Sequence, residues 1–174
     1  KNSKEVRAVL NTVTEQEAAG YAFEGAEASF ELIVRKETGQ YQKFFDLIGY
    51  RVLVEKRSSD QSPITEATLR VRVGDKEYLT VADGDGPVHA LDGALRKALC
   101  DAYPQLASIT LTDFKVRVVT SGEGTAAKVR AIIESTDHHG HSYNTVGVST
   151  NIIEASWEAL VESVEYGLFG LGVV

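Results

Sequence analysis

The feature that most restricts the fold is an internal repeat: residues 44–104 and 109–169 pass through the same order of strand, hairpin and helix. The run GYRVLVE at 49–55 is matched by DFKVRVV at 113–119, and EATLRVRV at 66–73 by AAKVRAII at 126–133. Thr145 and Val146 match Thr80 and Val81, while Ala155, Ala159 and Leu160 fall on Ala90, Ala94 and Leu95. With these pairings the second hairpin carries five extra residues, within STDHHGHSYN. Three strands and one helix are too few to bury a core alone. Two such units are expected to make one α+β domain with pseudo-twofold symmetry, and a crevice between them is a natural place for a small ligand.

Local patterning supports this plan. Val52 and Val54 alternate with polar neighbours, and Leu69, Val71 and Val73 point one way while Arg70 and Arg72 point the other. Gly74 and Asp75 sit at the turn of that hairpin, and Ser58 to Pro63 reads as a loop. A helix follows over 88–102, with Val88, Leu91, Leu95 and Leu99 as its apolar stripe and Pro87 in its first turn. The last helix spans 152–168, with Asn151 as N-cap and Glu154 at capping-box spacing. Gly86 takes the cap position in the first repeat. Free backbone N–H groups at both starts suit an anion such as a carboxylate, and equally fit plain capped helices.

Ahead of the repeat, Val6, Leu10 and Val13 fall at helical spacing within 4–19, and a second helix fits 26–36, with Ala28, Leu32 and Arg35 among its positions. Residues 1–38 are therefore read as a helical linker, and 39–174 as the domain made of the two repeats. The chain begins at Lys1 rather than methionine and is expected to come from a longer protein. A net charge of −7 repels phosphate backbones, which argues against nucleic acid as partner. No apolar run approaches the roughly 18–20 residues that span a bilayer, so no membrane partner is expected. The lone cysteine, Cys100, cannot form an internal disulfide and reads as a buried thiol of a reducing, cytoplasmic setting.

Chemistry-bearing clusters are few. His138, His139 and His141 beside Asp137 pose a metal question, but a structural site needs about four ligands and this stretch reads as a polar hairpin tip. Asp83-Gly84-Asp85-Gly86 fails as a calcium loop because the twelfth position is Ala94 rather than glutamate. The same glycines lack a Walker lysine and the third glycine of a dinucleotide fingerprint. No G-x-S-x-G elbow occurs, and Cys100 has no histidine near it in sequence. Neither catalytic residues nor metal ligands are assigned. Trp157, on one helical face with Ile153 and Leu160, reads as core.

Several runs, in order, carry a family likeness. GDGPVHALDGALRKAL at 84–99 resembles the loop and helix of the C-terminal regulatory domain of the 2-isopropylmalate and (R)-citramalate synthases. LTDF at 111–114 resembles that family's Leu-x-Asp-aromatic strand start, and TVGVSTNIIEASWEALVESVEY at 145–166 its closing loop and helix. GYAFEGAEASFELIVRK at 20–36 is similar to the helical linker of the citramalate synthase branch. The likeness implies two strand-strand-strand-helix units that form a homodimer. It also implies a small-molecule amino-acid effector near the dimer interface, leucine in one branch and isoleucine in the other. A catalytic (β/α)₈ barrel elsewhere in the same chain is implied as well, and the divalent metal and acetyl-CoA belong to it. No cofactor is expected in these residues, and no catalysis. His139-Gly140-His141 mimics the barrel's His-x-His metal motif but lies outside any barrel.

Position by position, the resemblance implies effector contacts from Gly84, Gly86 and Val88, then Leu111, Phe114 and Val118, then Thr125 and Ala127, and finally Thr150 and Ile152. The apolar members could line a slot for a branched side chain, or could be plain core. Thr125 and Thr150 depart from the family pattern and leave leucine against isoleucine open. An effector that binds one arrangement of the dimer better would shift its population, and residues 1–38 would carry that bias to the barrel. Two rival readings remain: a structural dimerisation module without ligand, and a small enzyme with an unrecognised site.

Overall fold

The computed structural model describes residues 2–120 and 122–173. Among them the elements run α1 (Asn2–Ala19), α2 (Glu27–Glu37), β1 (Asp46–Glu55), β2 (Ile64–Val73), β3 (Lys76–Gly84), α3 (Pro87–Leu99), β4 (Thr110–Val118), β5 (Val129–Thr136), β6 (Ser142–Ser149) and α4 (Ile152–Gly170). The chain is α+β, with two three-stranded antiparallel sheets ordered β1-β2-β3 and β4-β5-β6, each followed by a helix. Two compact units hold them: Lys43–Ala107, and Lys1–Gln42 together with Ser108–Val174.

In the Lys43–Ala107 unit the two-residue turn Gly74-Asp75 joins Val73 to Lys76, as the sequence pattern predicts. Gly74 has φ +57, the left-handed conformation that such a turn demands. Helix α3 lies mainly over β2 and β3. It presents Ala90, Leu91, Ala94, Leu95, Ala98 and Leu99, all fully buried, while Ala67, Leu69 and Val71 of β2 are buried in turn. Small alanines let the helix approach the sheet closely, and the leucines fill what remains. The helix stops at Leu99, short of the expected residue 102.

The second unit repeats this arrangement and adds α1 and α2. Helix α4 lies over β5 and β6, with Ala155, Trp157, Ala159, Leu160, Val164 and Leu168 buried. Helix α2 buries Ala28, Ser29, Leu32 and Ile33 and packs against β6 and α4. On α1, by contrast, Val6 and Leu10 are exposed.

The strand ladders correct the sequence pairing of the repeats. Ala67 faces Ala82, Ala131 faces Gly147, and both first strands carry an irregularity, between Leu47 and Gly49 and between Leu111 and Asp113. Ala67 therefore corresponds to Ala131 and Leu69 to Ile133, not to Ala127 and Val129. Arg72 pairs with Glu77 and Thr136 with Ser142, so the second hairpin loop is one residue longer, not five. Residues 126–128, expected in the strand 126–133, precede it instead: Ala126 ends a 3₁₀ turn over Gly124–Ala126, and β5 begins at Val129, with Gly122 before the turn and Gly124 within it both at positive φ. Cys100 is also corrected: it caps the C-terminal end of α3 and is exposed. One position beyond Leu99, it is rotated about 100° off the buried stripe.

Candidate effector site

Within Lys43–Ala107, Gly84 ends β3 and Gly86 caps α3. A Cβ on Gly84 would stand 2.4 Å from the Ala90 backbone nitrogen, so glycine is what lets the strand end meet the first helical turn. Gly86 is different. Its backbone is extended, a Cβ there would meet nothing within 4 Å, and it offers no side chain to cap the helix. The first-turn N–H groups are thus left to other acceptors, the arrangement that favours an anion. His89 turns back instead, accepting the Asp85 N–H at Nδ1 over 3.2 Å. Val88 is half-buried beside them.

In the other unit, Leu111, Phe114 and Val118 face Ser135, Ile133 and Val129 across the β4–β5 ladder. Directly opposed residues point to one face of a sheet, and Ser135 and Ile133 are buried beneath α4. The three side chains therefore share the helix-bearing face, yet α4 lies over the two neighbouring strands and leaves this one open. Phe114 stays 37% exposed and Val118 65%. Val116, opposite Ala131, belongs to the same strip and was missed by motif reasoning, although plain alternation from Phe114 and Val118 would have found it.

The remaining members gather at one end of this sheet. Val118, Val129 and Ser149 form one row across it. Thr150 and Ile152 follow Ser149, both exposed, and Ala127 lies buried just before β5. Thr125 is exposed in the 3₁₀ turn. Leu111 lies at the far end of β4, about 20 Å away at roughly 3.3 Å per residue. That exceeds the length of one amino acid, so Leu111 and Thr150 cannot touch the same single ligand within this unit. Asn151 caps α4, its Oδ1 accepting the N–H groups of Ile153 at 2.9 Å and Glu154 at 3.3 Å. Ser149 Oγ in turn accepts the Asn151 N–H at 3.0 Å. The two helix starts thus differ: α4 is closed by its own cap, and α3 is open.

The histidine cluster builds a turn. Asp137 Oδ1 accepts the backbone N–H groups of His139 at 2.8 Å and His141 at 3.0 Å. Burial works to raise this carboxyl's pKa, but the N–H groups of His141 and His139 outweigh it and hold the pKa below the usual range. Among the described residues no group of three or more His, Cys, Asp or Glu side chains is placed to hold a metal ion. Also among them, no helix is long and apolar enough to cross a membrane.

The fold is thus an α+β repeat of two three-stranded antiparallel sheets, each followed by a helix. The LeuA allosteric (dimerisation) domain matches residues 24–168, and the chain belongs to that family. Curated relatives include the (R)-citramalate synthases of Geobacter sulfurreducens, 53% identical over 92% of this chain, and Aquifex aeolicus, 48% identical over 95%. The 2-isopropylmalate synthase of Pseudoalteromonas atlantica is 32% identical over 64% of the chain. The chain spans about 30% of the length of the citramalate synthases it matches.

Proposed function

We propose that this chain is the allosteric regulatory and dimerisation domain of an (R)-citramalate synthase. It binds a branched-chain amino acid, isoleucine ahead of leucine, as feedback inhibitor of acetyl-CoA condensation with a 2-oxo acid. The chemistry belongs to a catalytic barrel of the same protein, which also holds the divalent metal and acetyl-CoA. The domain acts in the cytoplasm as a homodimer. The observation that carries this reading is the 53% identity, over 92% of the chain, to a protein named (R)-citramalate synthase. The step down to 32% for a 2-isopropylmalate synthase favours the citramalate branch, and with it isoleucine.

The uncovered strip of β4 supports an apolar ligand contact. Phe114 and Val118, with Ile152 at the start of α4, offer exposed carbon surface to a branched side chain. Within the Lys43–Ala107 unit, taken by itself, the uncapped start of α3 is a separate candidate contact for an anion at Gly86 and Val88. Inhibition follows by population shift: the amino acid stabilises the arrangement to which it binds more tightly.

The test is a condensation assay on the full-length synthase carrying this chain, with isoleucine, leucine, valine and alanine added in turn. Selective, saturable inhibition by isoleucine that disappears in Phe114→Ala is expected. Indifference to all four amino acids would overturn the reading.

A further inference from the structure

The unit of residues 1–42 and 108–174 contains a hydrogen-bonded latch that ties the loop at 149–152 to the helical arm. An edge strand presents every second N–H outward, unpaired. On β6 these groups belong to Asn144, Val146 and Val148, and each meets a side-chain acceptor. Glu27 Oε1 accepts from Asn144 at 3.2 Å, Ser29 Oγ from Val146 at 2.9 Å, and Glu158 Oε2 from Val148 at 3.1 Å. Two of the acceptors stand on α2. Ser29 is 1% exposed and donates its own hydroxyl hydrogen bond to Glu162 Oε2 at 2.5 Å. Glu162 also faces Lys36 Nζ at 3.5 Å. The third acceptor, Glu158, receives the Tyr21 hydroxyl at 2.6 Å from the connection between α1 and α2. That connection is held to the same end of the sheet by Arg130, whose Nε donates to the Gly20 carbonyl at 2.9 Å.

Both elements flanking the 149–152 loop therefore end on the arm: β6 through its edge N–H groups, and α4 through Glu158 and Glu162. Hydrogen bonds of this kind are directional and weaken steeply with misalignment, whereas apolar contacts tolerate sliding. An acceptor shared between a strand N–H and an arm hydroxyl cannot follow one partner without straining the other. We infer that this latch transmits displacement of the 149–152 loop to α1 and α2, with Ser29 and Tyr21 as its positioning residues. The inference rests on the proposed effector role of that loop.

Hydrogen exchange on the intact chain, read by mass spectrometry with and without isoleucine, tests both steps separately. Isoleucine is expected to slow exchange at least fivefold in 147–153 and also in 21–37. In Ser29→Ala, and independently in the near-isosteric Tyr21→Phe, the response of 147–153 persists while that of 21–37 falls to within twofold of no change. A ligand response in 147–153 alone in the unaltered chain would overturn the latch and leave the effector reading standing. Arm responses that survive in both variants would overturn it too. No response at 147–153 in the unaltered chain would remove the effector reading and the latch together.

Discussion

Thr145 donates its hydroxyl to the carbonyl oxygen of Ala159 at 2.7 Å, fastening β6 to α4. Thr80 makes the same bond to Ala94, also at 2.7 Å, between β3 and α3. The repeat is thus preserved as a specific strand-to-helix contact and not only as an order of elements. Thr145 is fully buried and Thr80 half-buried. Replacement by the isosteric valine removes the donor and little else, so Thr145→Val is expected to cost about 1 kcal/mol. Thr80→Val should cost less because solvent can compensate. Urea denaturation midpoints of the two variants check the ranking.

Two glycines should tolerate alanine very differently. A Cβ on Gly147 would stand 2.0 Å from the Ala155 carbonyl oxygen, a backbone atom that cannot step aside. Gly147→Ala is expected to destabilise by about 3 kcal/mol or more, or to prevent folding, since it forces strand and helix apart. Gly86→Ala meets nothing within 4 Å on an extended backbone and should leave the melting temperature nearly unchanged. Thermal melts of the two variants decide.

The cap of α4 is open to the same treatment. Asn151→Ala removes the acceptor for the N–H groups of Ile153 and Glu154 and should cost about 1 kcal/mol. Asn151→Asp keeps the acceptor and adds a charge favoured at a helix N-terminus, so it should retain most of the stability. Calorimetric melts of both variants test this.

Burial pushes the Glu162 carboxyl above the usual glutamate range, against the opposing pull of Ser29 and Lys36. A raised folded-state pKa means that the folded chain keeps a proton which the unfolded chain has already released. The stability this confers is complete below the unfolded value of about 4.3 and is lost as pH rises through the folded value. Glu162→Gln cannot titrate. Its stability relative to the unaltered chain should therefore increase as pH rises through that window. Melting temperatures of both chains between about pH 4 and 8 would show the divergence, and parallel curves would refute it.

A substitution at Phe114 is expected to separate binding from folding. Phe114 lies on the uncovered face of β4 and remains 37% exposed, so Phe114→Ala should cost less than about 1.5 kcal/mol, well below the 3–5 of a buried phenylalanine. Isoleucine affinity should fall by tenfold or more while the dimer persists. Titration calorimetry and sedimentation equilibrium together check the two halves.

The helices, the hairpin turn at Gly74 and the two-unit plan were legible because they depend on local periodicity and turn chemistry. The Leu91, Leu95 and Leu99 stripe and the Asn151 cap both stand where the sequence puts them. The register of the second hairpin was not legible. Ala127 resembles Ala67 as a letter, but the pairing is set by ladder bonds that place Ala131 opposite Gly147. The exposure of Cys100 was available from helix phase and was obscured by its apolar neighbours. Ser29, Glu158 and Tyr21 could not be found from spacing, since each acts across more than a hundred residues of sequence or through a strand edge that only folding creates. For the candidate site, alternation marks the β4 strip, but which neighbouring helix leaves it uncovered is a property of packing.

The most direct test of the account is a thermal-shift titration of the chain with isoleucine, leucine, valine and alanine. A ligand that binds only the folded state raises the melting temperature in step with its concentration. Isoleucine is expected to give a rise that continues with the logarithm of its concentration above Kd, leucine a smaller one, and alanine none. A flat response to all four would contradict the sensing role.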